Sequence, residues 1–305
     1  MRGATAQGYG CVDRVVRWWL GSWVMTSADP ALALIDLDRY PVDDPTSEVL
    51  ATVIATGRAQ LAESGYAELP AFVTPAAIEA LVADAAAHAS RAHRSTGPGT
   101  AYLELPDEEA FAENHPRRRW MPYDVGAVAY DLIGLDSPLR AVYESDAVLG
   151  LVEAILDRGQ IYRYADPFGA LNLAVMGEGD QLQWHFDQTD FVVSLAVQSA
   201  AEGGAFEVVP KVRSDHEEHY DIVERVLEGD ATGIVTLPMV PGTLLVFEGR
   251  RSLHRVSPIA GSVLRHVGLL GYDTAPGTQS SELLRAIRYG RTMPHDVPPN
   301  HWPAA

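Results

Sequence analysis

The chain has 305 residues, 47% apolar and 21% charged, which excludes a disordered protein and allows one large domain or two small ones. Lys and Arg number 23 against 41 Asp and Glu, a formal net charge of −18 that repels phosphate backbones and anionic bilayers and so argues against nucleic-acid and membrane partners. The one cysteine, Cys11, excludes an intrachain disulfide framework and any cysteine-rich metal centre, and it fits a cytoplasmic protein.

Residues 1–30 are expected to lie outside the fold, as a disordered tail or as a gene-start artefact with Met25 the true start. The apolar stretch Val15–Val24 is short, is interrupted by Arg17 and lacks a clear cleavage site, so it does not read as a signal peptide. No run is long and apolar enough for a transmembrane helix. Residues 31–305 are expected to form a single domain, helical over about 45–158 and stranded over about 159–275.

The first predicted helix runs from Thr46 to Ser64, with Val49, Leu50, Val53, Ile54 and Leu61 on one stripe and Gly65 as its stop. Thr74-Pro75 is an N-cap followed by proline at the first helical position, and opens a second helix toward Arg91. Residues 95–137 read as an irregular, Gly-, Pro- and charge-rich lid or insert. Leu139 to Leu156 reads as a third helix, stopped by Gly159. Short β-favouring runs follow: Gln160–Tyr164, Ala170–Met176, Gln183–Phe186, Phe191–Gln198, Ala205–Val209, Gly233–Leu237, Thr243–Phe247, His254–Val256 and Val267–Tyr272. Helices first and many short strands afterwards give an α+β fold, with a jelly-roll-like double sheet and the helices packed on one outer face.

Within one of these runs lies Trp184-His185-Phe186-Asp187. Strand alternation points His185 and Asp187 one way and Trp184 and Phe186 the other. A second histidine, His254, follows in another run, in Ser252-Leu253-His254-Arg255-Val256. Two histidines and one carboxylate form a facial triad for octahedral Fe(II), with positions left open for a chelating cosubstrate and O2. A plain buried His–Asp pair is the competing reading. Arg265 precedes the last strand and could fork onto the far carboxylate of a 2-oxo acid. Asn172, between Leu171 and Leu173, could hydrogen-bond the same molecule. His219-Tyr220-Asp221 repeats the His-x-Asp spacing, but it ends the charge run that begins at Arg213 and reads as a solvated loop.

The His-x-Asp motif, the distal histidine and Arg265 resemble the Fe(II)/2-oxoglutarate-dependent oxygenase superfamily. Asp166-Pro167-Phe168-Gly169-Ala170-Leu171-Asn172, Gly179 to Asp187, Gly203 to Pro210 and Gly249 to Val256 resemble its HalD/BesD-like branch, which includes hydroxylases and halogenases of free amino acids. The resemblance spans about residues 110–292. It implies a double-stranded β-helix (jelly-roll, cupin-like) core, metal ligands at His185, Asp187 and His254, and cosubstrate contacts at Arg265 and Asn172. The implied cofactors are Fe(II), 2-oxoglutarate and O2. Halogenases of the branch replace the carboxylate ligand with a small residue; Asp187 is present here, so the resemblance implies a hydroxylase that releases succinate and CO2.

His115-Pro116-Arg117 also resembles a stretch of the branch and makes Arg117 the candidate partner of a substrate carboxylate; a solvated arginine patch is the plainer reading. Asp190 and Glu207 are candidate ammonium partners, and Tyr289 a candidate cover of the pocket. The expected substrate is a free amino acid or similar small polar molecule. Alternatives are desaturation or cyclisation at the same iron, a carrier-bound or natural-product substrate, and a non-catalytic binding protein of the same fold.

Overall fold

The computed structural model describes residues 29–294, so the expectations for residues 1–28, Met25 included, lie outside the described residues. Asp29 is already tied into the fold. It caps a short 3-10 turn, Pro30–Ala33, and accepts a hydrogen bond from Ser145 Oγ at 2.6 Å.

Polar caps set the helix starts where the spacing puts them. Ser47 Oγ accepts from the Leu50 N–H to open α1 (Glu48–Ser64), and Gly65 closes it in the left-handed region at φ 72°. A short strand, β1 (Tyr66–Leu69), leads to α2 (Pro75–Ala89), which Thr74 caps. The third predicted helix is two helices, α3 (Pro138–Glu144) and α4 (Asp146–Leu156). Ser145 breaks it, because its backbone is extended while its hydroxyl caps the Val148 N–H of α4.

The stretch expected to be irregular instead holds β2 (His93–Gly99) and β3 (Met121–Ala129). Gly97, Pro98, Gly99 and Pro122 hid them. β2 pairs only with β3, and an edge strand tolerates such residues.

All nine predicted runs contain strands: β4 (Tyr162–Arg163), β5 (Leu171–Met176), β6 (Gln181–His185), β7 (Val192–Gln198), β9 (Phe206–Val209), β10 (Val235–Leu237), β11 (Leu244–Phe247), β12 (Leu253–Val256) and β14 (Arg265–Leu270). Short β8 (Glu202–Gly203), β13 (Ile259–Ala260) and β15 (Tyr272–Asp273) add to them, as do α5 (Tyr220–Leu227) and α6 (Glu282–Tyr289).

The main sheet runs β1-β11-β7-β14-β5-β3-β6-β12-β9-β10, antiparallel throughout. β3 is its seam. Gly126–Ala129 pair with β5, while Tyr123 and Asp124 pair with β6, so one strand belongs to both halves of the curled sheet. Gly126 permits the close approach there: a Cβ would lie 2.8 Å from the Val175 carbonyl oxygen. The result is the α+β jelly-roll expected.

The helices α1 to α4 pack on one outer face. Leu50, Leu81, Val142, Val148 and Leu151 join Leu171, Leu173, Val193, Leu195 and Val246 in a single buried cluster. Each such side chain contributes about 1.5–3 kcal/mol. A second cluster, with Val125, Met176, Phe206, Val208, Leu245, Phe247 and Val256, fills the space between the two halves of the sheet. The third, holding Trp184, Phe186 and Leu253, lies against α5. None of the described helices is long and apolar enough to cross a membrane.

Candidate active site

β6 and β12 set His185 directly opposite His254, with ring centroids 4.1 Å apart. Both are buried. Each Nδ1 contacts the backbone carbonyl two residues back, His185 on Gln183 at 2.8 Å and His254 on Ser252 at 2.9 Å. Those bonds put the ring proton on Nδ1 and leave the Nε2 lone pairs free for a metal. Burial, and then the second ring, push the pKa of His185 down to about 4, which keeps it in the neutral, ligating form.

Asp187 stands just past the end of β6. Its Oδ1 is 3.8 Å from His185 Nε2 and its Oδ2 3.4 Å from His254 Nε2. Both distances are too long for the hydrogen bonds of a plain His–Asp pair. They suit three donors around one ion, whose neighbouring ligands stand about 3 Å apart in octahedral geometry. The three donor atoms all lie within 4.8 Å of one another. Asp187 Oδ2 is buried and has no hydrogen-bond partner. A desolvated carboxylate oxygen of this kind is costly unless a cation meets it, so the residues fit the implied metal.

Arg265 and Asn172 sit on the β14–β5 ladder, with β3 between it and β6. Arg265 faces Met176 across β14–β5, and Asn172 faces Leu269, on the same side of the sheet and about 13 Å further along it. Ala174, Ala196 and Ser194 occupy that side too, as do Val267 and Leu269. Arg265 is only 6% exposed, has no carboxylate within ion-pair reach among the described residues, and touches Met176 Sδ at 3.9 Å. Burial pushes its pKa down to about 10, so it stays charged at neutral pH. Asn172 Oδ1 is likewise buried without a partner. Arg265 and Asn172 are thus two buried polar groups on one side of the sheet, the first without a carboxylate and the second without a hydrogen-bond partner for its Oδ1 among the described residues.

Asp187 also lines a cleft of ≈ 480 Å³, with Tyr102, Glu104, Arg117, Gln188, Arg213, Glu218, Arg250 and Arg251 among its walls. Arg117 belongs to it, but its fork is occupied. Nε donates to Tyr220 Oη at 2.9 Å, Nη1 to Glu104 at 2.8 Å and Nη2 to Glu218 at 3.1 Å, while the guanidinium lies 4.2 Å from the Tyr102 ring centroid. Asp190 is not on the cleft wall; it pairs with Arg250 at 2.6 Å and with Arg158 at 3.7 Å. Glu207 pairs with Arg255. Tyr289 is buried at the end of α6, stacked on Phe168 at 5.7 Å beside Ala127 and Ala129, and burial pushes its pKa up to about 12.

Several neighbours of the site were not predicted. The charge run is exposed over Ser214–Glu217, as a solvated loop should be, but two of its residues line the cleft: Glu218 is pinned by Arg117, and Arg213 lies over Phe186 at 4.3 Å and Tyr102 at 5.6 Å. Its two aromatic partners are distant in sequence, which hides the role. Tyr102 presents a buried hydroxyl without a partner. Arg288 on α6 is close enough for its charge to help lower the pKa of His185. Its helix neighbours Arg285 and Arg291 pair with Asp166 and Asp131, whereas Arg288 has no ion pair among the described residues.

The chain is similar to solved oxygenases at low identity. One is a 2OG-Fe(II) oxygenase family oxidoreductase from Burkholderia pseudomallei (16% identity, covering 74% of this chain and 92% of that one, TM-score 0.47). Another is AviO1 from Streptomyces viridochromogenes Tue57 (20%, 76% and 97%, TM-score 0.49). A third is a prolyl-4-hydroxylase from Pseudomonas putida (14%, 72% and 98%, TM-score 0.43). No curated protein matches the chain. A family model described as Halogenase D matches residues 115–283, which include both histidines, Asp187, Asn172 and Arg265. With more than half its length matched, the chain belongs to the halogenase D family, within the Fe(II)- and 2-oxoglutarate-dependent oxygenases.

Proposed function

We propose that this oxygenase hydroxylates an unactivated C–H bond of a free amino acid or a similar small polar molecule. The observation that carries this reading is Asp187: a carboxylate stands in the donor set with both histidines, where a halogenating site needs room for halide. Iron and 2-oxoglutarate, when bound, supply the oxidant for hydrogen removal and oxygen transfer, with succinate and CO2 as coproducts.

The chain's own residues do the rest. His185, Asp187 and His254 would hold the metal, a donor set that leaves positions open for cosubstrate and O2. Arg265 forks onto the distal carboxylate of 2-oxoglutarate, and Asn172 hydrogen-bonds the same molecule. The cleft beside Asp187 carries both signs of charge, which suits a zwitterion. Arg117 takes the substrate carboxylate. Glu104, 59% exposed, is the partner it exchanges most cheaply, while Tyr220 and Glu218 keep the guanidinium in place. Tyr289 closes the opposite side as packing and excludes water.

The test is succinate formation from 2-oxoglutarate by protein loaded anaerobically with Fe(II), across free amino acids, with mass spectrometry of each. The expected outcome is one amino acid that raises turnover and gains one oxygen. A product lacking two hydrogens would replace hydroxylation by desaturation or ring closure. No stimulation by any amino acid would overturn the substrate class.

A further inference from the structure

Gly249 lies in the loop between β11 and β12, and its backbone is outside the left-handed region that favours glycine. Conformation therefore does not explain the missing side chain; space does. A Cβ at this position would stand 2.8 Å from Asp187 Cγ and 3.0 Å from Asp187 Cβ, and would overlap Oδ2 outright. We propose that Gly249 is the positioning residue of the metal site: the Asp187 carboxylate fills the volume of the absent side chain, and only a glycine lets it stay in the donor set. The inference rests on Asp187 being a metal ligand.

Neither partner can step aside easily. The Asp187 N–H donates to the Gly249 carbonyl at 3.0 Å, which ties the two residues together. The loop is pinned on both sides of Gly249. Glu248 donates its N–H to Gly65 O at 2.8 Å and pairs with Arg158, and Arg250 pairs with Asp190 at 2.6 Å. The open direction is the cleft that Asp187 already lines. A methyl group at 249 turns the carboxylate out into that cleft and vacates the third donor position while the aspartate is still encoded.

The test compares metal affinity of the full-length chain, by anaerobic competition of Fe(II) and Mn(II) with a chelator, for wild type, Gly249→Ala, Asp187→Ala and the double variant. Gly249→Ala is expected to weaken binding about tenfold or more, as misplaced ligand supports do. Added to Asp187→Ala it should change nothing further, because the group it displaces is gone. Thermal unfolding without metal gives a second readout: a folding defect of Gly249→Ala should be relieved in the double variant, where the space is free. Wild-type affinity in Gly249→Ala overturns the proposal. So does an equal loss in both backgrounds, or a folding defect that persists in the double variant. Unchanged affinity in Asp187→Ala would instead overturn the ligand reading on which the inference rests.

Discussion

The strand-borne floor of the site and the loop-borne cleft above it handle charge in opposite ways. On the floor, Arg265, Asn172 and Asp187 Oδ2 are buried and lack protein hydrogen-bond or ion-pair partners suited to their charge. In the cleft, Arg117, Arg213, Glu218, Arg250 and Arg251 are all paired with one another or with nearby residues. A buried group without a partner costs free energy that a bound ligand would return. Arg250 and Arg251 are exposed and cost little to rearrange, whereas Arg117 and Arg213 are held mostly out of solvent by their partners.

Five substitutions at four positions would break or sharpen this contrast. His254→Ala removes one of only three donors, and metal binding by anaerobic titration should fall below detection together with turnover. Arg265→Leu should raise the 2-oxoglutarate KM by at least about 100-fold, the scale of a buried charge-assisted pair, with metal affinity unchanged. Arg265→Lys should recover only part, since it keeps the charge but loses the fork. Arg117→Gln should raise the amino-acid KM about tenfold and leave the 2-oxoglutarate KM alone; a rise in both would merge the two regions into one. Asp190→Asn should shift stability by less than about 1 kcal/mol in denaturant unfolding and leave both KM values in place, because its ion pairs are exposed.

What could be read from sequence follows the same division. His185 and Asp187 are two residues apart on a strand end, Asn172 sits between leucines, and Ser47 and Thr74 cap helices, all local signals. β2 and β3 were hidden by their Gly and Pro residues: those of β2 are tolerated at a sheet edge and Gly126 of β3 serves a close approach to Val175, both properties of the assembled sheet. The break at Ser145 was hidden because the apolar spacing runs on past it. Arg213 and Glu218 looked solvated because Phe186, Tyr102 and Arg117, which hold them, come from other segments. Roles made by local pattern are legible, and roles made by long-range partners are not.

The contact between Asp187 and Gly249 constrains the routes by which such a site can change over generations. While the aspartate is present, any side chain at 249 meets it, so that substitution is silent only after the carboxylate has been lost. Once a side chain has grown there, restoring the aspartate alone no longer restores the ligand. The pair works as a ratchet: the loss of a metal ligand at one position is made permanent by a second, otherwise silent change across the loop.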